Sequence, residues 1–144
     1  MKTNSFILDK KVSSSTFNYI KIMPEFECSP IWVSNDGIYY HNLSLSKLER
    51  YLRDSFRLWD KLYQDTLNME NPLKSCFKTD KDKYFFEVQG ISLWSLLSEK
   101  YQSLSIVSYW SIYFEQEFFD IDLFEQRLKE VAQKSFIINK KTDG

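Results

Sequence analysis

The residue types that carry covalent or metal chemistry are scarce in this sequence. His41 is the only histidine, and Cys28 and Cys76 are the only cysteines. A nucleophile with its base, or a zinc site, needs such groups in close pairs, and none of these three neighbours another in sequence. No catalytic residue, metal ligand or cofactor site is therefore assigned. His41 reads as a surface imidazole and the cysteines as free thiols of a reducing compartment. Carboxylates are more suggestive. Glu115 and Glu117 would face one side of an extended segment, as the acid pair of a glycosidase does, which keeps a small enzyme built on distant carboxylates and His41 open as an alternative. Between Ile112 and Glu125 lie Glu115, Glu117, Asp120, Asp122 and Glu125, without a Lys or Arg among them. Interleaved with Tyr113, Phe114, Phe118 and Phe119, these five acids form a candidate surface for a basic protein or a mimic of a polyanion. The same residues also read as a capped helix entry with solvated acids.

The elements that must position these groups follow from patterning. The 144 residues, 43% hydrophobic and 17% aromatic, suit one α+β domain over 1–144, with flexible ends at about 1–15 and 139–144. Only three Gly and three Pro are present, which excludes a Gly-rich nucleotide loop and favours long regular elements. Lys and Arg total 19 against 20 Asp and Glu, so the overall field does not attract nucleic acid. Tyr19, Trp32, Tyr39, Tyr40 and Tyr109 could stack on single-stranded bases, but their strands are poor in cations and the rings are expected mostly in the core; no direct nucleic-acid partner is expected. Neither a secretion signal nor a membrane span is expected, so a cytoplasmic location is expected and the glycosylation pattern Asn42-Leu43-Ser44 is expected to have no consequence.

Thr16–Met23 reads as a strand ended by Pro24. Ile31–Ser34 and Gly37–Tyr40 flank Asn35-Asp36, and Asp-Gly predicts a tight hairpin over about 31–41. From Leu45 to Leu67 apolar residues recur at helical steps, with Ser46 and Glu49 as a capping box and Arg50, Arg53, Arg57 and Lys61 on the opposite face. A loop leads to Asp80, the expected N-cap of a helix over 81–101 that places Phe85, Phe86, Leu93, Trp94, Leu96, Leu97 and Tyr101 in one half-circle. So wide an apolar arc predicts packing between a sheet and another helix, and Gly90 within it predicts close approach. Leu104–Tyr113 reads as a strand at or near the sheet centre. Asp122, with Glu125, should cap a last helix whose inner face is Phe124, Leu128 and Val131 and which ends near Ser135. The expected fold is a small antiparallel or mixed sheet with an N-terminal β-hairpin, packed against about three helices. No internal repeat is visible, and strand order and oligomeric state are left open.

From Leu43 to Tyr113 the chain resembles small bacterial immunity proteins of polymorphic-toxin and contact-dependent growth inhibition systems. The matching residues are Leu43-Ser44-Leu45, Phe56, Trp59, Tyr63, Thr66-Leu67, Pro72, Ser75, Phe77, Phe86, Gly90, Leu93, Leu97 and the strand Ile106–Tyr109. Lys100-Tyr101 departs from the acidic-Leu ending expected there. The resemblance implies a shared scaffold, no enzymatic activity, and a cognate toxin domain as partner, bound and neutralised in the cytoplasm. Another protein-binding adaptor or inhibitor is the remaining reading. The toxin-facing surface is expected at Glu115, Glu117, Asp120, Asp122 and Glu125.

Overall fold

The computed structural model describes residues 17–137; the ends expected to be flexible lie outside them. Five strands form one mixed sheet in the order β3-β2-β1-β4-β5: β1 Tyr19–Ile22, β2 Ile31–Ser34, β3 His41–Asn42, β4 Ile106–Ser111 and β5 Gln116–Phe118. β1 is central, antiparallel to β2 and parallel to β4, and the β4–β5 pair is antiparallel. Alternation decides the two faces. Ile20, Ile22, Ile31, Val33, Val107, Tyr109 and Phe118 are buried in the core shared with the helices. Lys21, Trp32, Ser108, Trp110 and Glu117, cross-strand partners of one another, occupy the other face.

The helices α1 Arg50–Gln64, α2 Asp80–Tyr101 and α3 Ile121–Ala132 supply the rest of the core: Leu52, Phe56 and Trp59, then Phe86, Leu93, Trp94 and Leu97, then Phe124 and Leu128. α2 lies between the other two. Trp59 stacks on Phe86 at 4.3 Å between centroids and donates its Nε1–H to the Phe86 carbonyl at 2.9 Å, while Lys100 pairs with Glu49 at 2.7 Å. These contacts run α1 and α2 antiparallel. On the other side Phe124 meets Trp94 and Tyr109.

Several expectations are corrected. The 31–41 hairpin exists, but Gly37–Tyr40 is loop, and β2 pairs instead with His41–Asn42. Side chains win over a tight turn here: Ser34 Oγ accepts from the Asp36 and Gly37 amides, and Asp36 Oδ1 accepts from those of Ile38 and Tyr39. Those bonds hold the Asp36 carboxyl below its ordinary value. The Ser46/Glu49 capping box does not form. Ser44 caps a short 3-10 turn at Leu45–Lys47, the chain extends at Leu48, and α1 starts at Arg50 with Glu49 turned to Lys100. α2 is capped by Thr79 rather than Asp80, and α3 by Asp120, which accepts from the Leu123 amide, rather than by Asp122. Phe85 and Leu96 face outward, and Ala132 rather than Val131 is buried.

Asp60 is the costly residue of α1. It is buried, and desolvation raises its carboxyl from 3.8 to about 6 against the pull of a 3.4 Å hydrogen bond from Gln64. The folded state therefore holds this proton more tightly than the unfolded chain. The associated stability is present in full below the unfolded value and lost as pH rises through about 6. Asp60→Asn should stabilise the protein by roughly 2 kcal/mol at neutral pH, with the gain vanishing in acid. Denaturant melts of both proteins across that range check it; a pH-independent difference would contradict the assignment.

Candidate functional site

The acidic segment is built by two devices that the sequence hid. After β4 the chain turns through Tyr113–Glu115, with Glu115 in the left-handed region at φ 54°, and returns as β5. Holding a non-glycine there costs about 1 kcal/mol. The turn is held by Glu87 of α2, which is fully buried. The Glu87 carboxylate accepts from the Tyr109 hydroxyl, from Ser111 Oγ at 2.5 Å and from the Tyr113 amide at 3.0 Å. Burial pushes this carboxyl up, while the donors, including the Ile112 amide, oppose the rise. The same environment drives the Tyr109 phenol well above its ordinary value.

Gly90 makes the arrangement sterically feasible. A Cβ at Gly90 would lie 2.2 Å from the Tyr109 hydroxyl oxygen, so the tyrosine can cross beneath α2 to Glu87 only because no side chain stands there. The close packing expected at Gly90 is thus confirmed. Glu87 stands seven residues before Trp94 and so falls on the same inward arc, but a carboxylate at that spacing gives no sign in the sequence of being buried.

The five acids do not share one face. Glu117 lies on the open side of the sheet, accepting from Ser108 Oγ at 2.6 Å and 3.9 Å from Lys21 Nζ, which also sits 4.2 Å from the Tyr40 ring centroid. Glu115 is exposed at the tip of the β4–β5 turn, and Glu125 is half-buried on α3. Asp120 and Asp122 line a groove of about 620 Å³ between α2 and the start of α3, together with Ser95, Ser98, Glu99 and Phe119. Phe119 is 62% exposed there, and Leu123 is 54% exposed one turn into α3. Glu99 was not among the acids read from the sequence; the topology brings it in. Arg127 does not neutralise the groove, since its guanidinium packs over the Phe114 and Phe118 rings at 4.4 and 5.4 Å.

His41 is exposed on the edge strand β3, Cys28 is half-buried in the loop after β1, and Cys76 is exposed before α2. Among the described residues no group of three or more His, Cys, Asp and Glu could hold a metal ion. No helix among them is long and apolar enough to cross a membrane. Of the five aromatics considered as base platforms only Tyr109 is core, stacked on Trp94 at 5.4 Å. Tyr19, Trp32 and Tyr40 are half-buried and Tyr39 is exposed in the 35–40 loop, so the expectation that most of these rings are core is corrected, since alternation turns Tyr19 and Trp32 away from the helices.

The scaffold is α+β, with buried polar groups that fix the turn between β4 and β5 and with acids displayed around the exposed Phe119. The chain belongs to the Serratia CdiI immunity protein-like family, whose sequence profile matches residues 18–112. The match begins earlier than the resemblance at Leu43 implied. It takes in β1 through β4 with α1 and α2, including Trp59, Glu87, Gly90 and Tyr109, and stops before β5 and α3. Comparison with curated proteins found no match.

Proposed function

We propose that this chain binds one cognate toxin domain in the cytoplasm and neutralises it by occupying a functional surface, without a catalytic step of its own. The family membership carries this reading. Of the acids proposed for its surface, Asp120 and Asp122 form the centre, with Glu99 added and Phe119 as the apolar anchor, and Glu115, Glu117 and Glu125, which face other directions, lie at its periphery. The acids that line the groove around Phe119 form a charged rim about an aromatic centre, the usual anatomy of a binding hot spot. Strain retained at Glu115 supports the same surface, because a glycine would relax that turn. A toxin that acts on nucleic acid carries a positive cleft, and an acidic inhibitor docks by the same attraction.

The test is co-expression with the toxin domain encoded by an adjacent reading frame. This chain should relieve growth arrest and co-purify with that domain in a fixed ratio; an active toxin unaffected by it would refute the reading. In the same assay, His41→Ala, Cys28→Ser and Cys76→Ser should each protect as well as the parent, and the purified protein should contain no stoichiometric zinc by metal analysis. Loss of protection in a folded variant would return those residues to the site.

A further inference from the structure

Across the outer side of the helical layer the chemistry changes in order. On α1, Arg50, Arg53, Arg57 and Lys61 follow one another at three- and four-residue steps, which sets them on the side opposite Ser55, Leu58, Trp59 and Leu62, the residues that face the α2 groove. The groove between α1 and α2, about 510 Å³, is apolar and lined by Leu58, Leu62, Trp59 and Leu93 with Ser55 and Ser92. Leu58 is 72% exposed, Leu62 44% and, beside the groove, Phe85 50%. Beyond α2 come Glu99 and Asp122. Large apolar side chains set side by side in this way mark an interaction surface.

We propose that this face is covered in solution by a second copy of the chain, related by a two-fold axis running along the α1–α2 groove. The argument is charge complementarity. A partner that fits must present acidic, apolar and basic stripes in reverse order, and a rotation about that axis makes this chain its own complement. α1 of one copy then lies over α2 of the other. Because α1 and α2 are antiparallel, with Glu49 beside Lys100, the start of α1 meets the end of the partner's α2. Arg50 thus stands opposite Glu99 and Asp122, while the apolar grooves close on each other.

The charges left over agree. Arg53 and Arg57 share Asp54, each at 3.9 Å, and Lys61 is 2.9 Å from Asp65, so these three have acidic partners within their own helix. Among the described residues Arg50, Glu99 and Asp122 make no ion pair, which leaves them for the partner. The net charge of −1 adds little repulsion between copies. A second copy and a toxin would use the same acidic edge, so each would exclude the other.

The experiment is light scattering or sedimentation of the full chain over a concentration series at low salt. The mass should rise from that of one chain toward that of two. Leu58→Glu, on an exposed side chain whose loss spares the core, should weaken association by at least about tenfold. Leu62→Lys provides a second variant, and melting curves confirm folding of each. Arg50→Glu and Glu99→Arg should each weaken the dimer, and their combination should restore it. A single-chain mass throughout the series, a dimer indifferent to both leucine variants, or a charge swap that fails to restore association would each overturn the proposal. None of these readouts requires a toxin, so the outcome is separate from that of the proposed function.

Discussion

Gly90→Ala should destabilise the protein by about 3–5 kcal/mol, a large part of the total for a domain of this size. In most helices the exchange would help, since alanine is the better helix former by nearly 1 kcal/mol. Here the new methyl would stand 2.2 Å from the Tyr109 hydroxyl and 2.8 Å from its Cζ. Tyr109 cannot give way without cost, being fully buried, stacked on Trp94 and packed at a tilt against Phe124. Moving it withdraws the phenol from Glu87, and a buried carboxylate that loses a donor adds its desolvation to the steric penalty. Chemical denaturation measures the loss. Tyr109→Phe in the Gly90→Ala background should recover only part of it, because the ring carbon still clashes. A Gly90→Ala protein as stable as the parent would mean that α2 and β4 are not packed at this distance.

How far the sequence foretold this molecule depends on whether local or distant contacts decide an element. The α1 stripe of Leu52, Phe56 and Trp59 is a property of one helix facing one core, so its period was legible. β4 was legible for a similar reason: Ile106–Ser111 is β-branched and aromatic, and most of it is buried. Gly90 could be flagged because glycine inside a helix is costly unless something needs the space. β5 could not be read. Its three residues follow a glutamate in the left-handed region, and the turn depends on Glu87 from an element more than twenty residues earlier. The caps shifted by one or two residues because Thr79 and Asp80, or Asp120 and Asp122, are all cap-forming types, and the extended backbone at Thr79 and Asp120 decides between them, at Thr79 against the residue preference. The acids were visible as a run. Their division between the open sheet face, the turn tip and the α2–α3 groove was not, because alternation along β5 and the cap at Asp120 separate them.

That division also selects the variants able to test the toxin surface. Reversing Glu117 would leave Ser108 without its acceptor and place a cation beside Lys21, while reversing Asp120 would remove the α3 cap at about 1 kcal/mol. Glu115 and Asp122 are exposed and have no such structural duty, apart from the modest interaction of Asp122 with the α3 dipole. The double variant Glu115→Lys with Asp122→Lys should therefore melt within about 1 kcal/mol of the parent and bind the toxin at least tenfold more slowly at low salt. The difference should narrow at high salt, because screening removes long-range steering from both proteins. Phe119→Ala should act on the other rate. An aromatic anchor that fills a partner's pocket holds the complex after encounter, so its truncation should speed dissociation at every salt concentration and cost about 2 kcal/mol or more. Association and dissociation measured by surface plasmon resonance over a salt series separate the two effects. Parent-like kinetics in both folded variants would place the toxin elsewhere on the immunity protein, with the Arg50, Arg53, Arg57 and Lys61 flank of α1 the next surface to reverse.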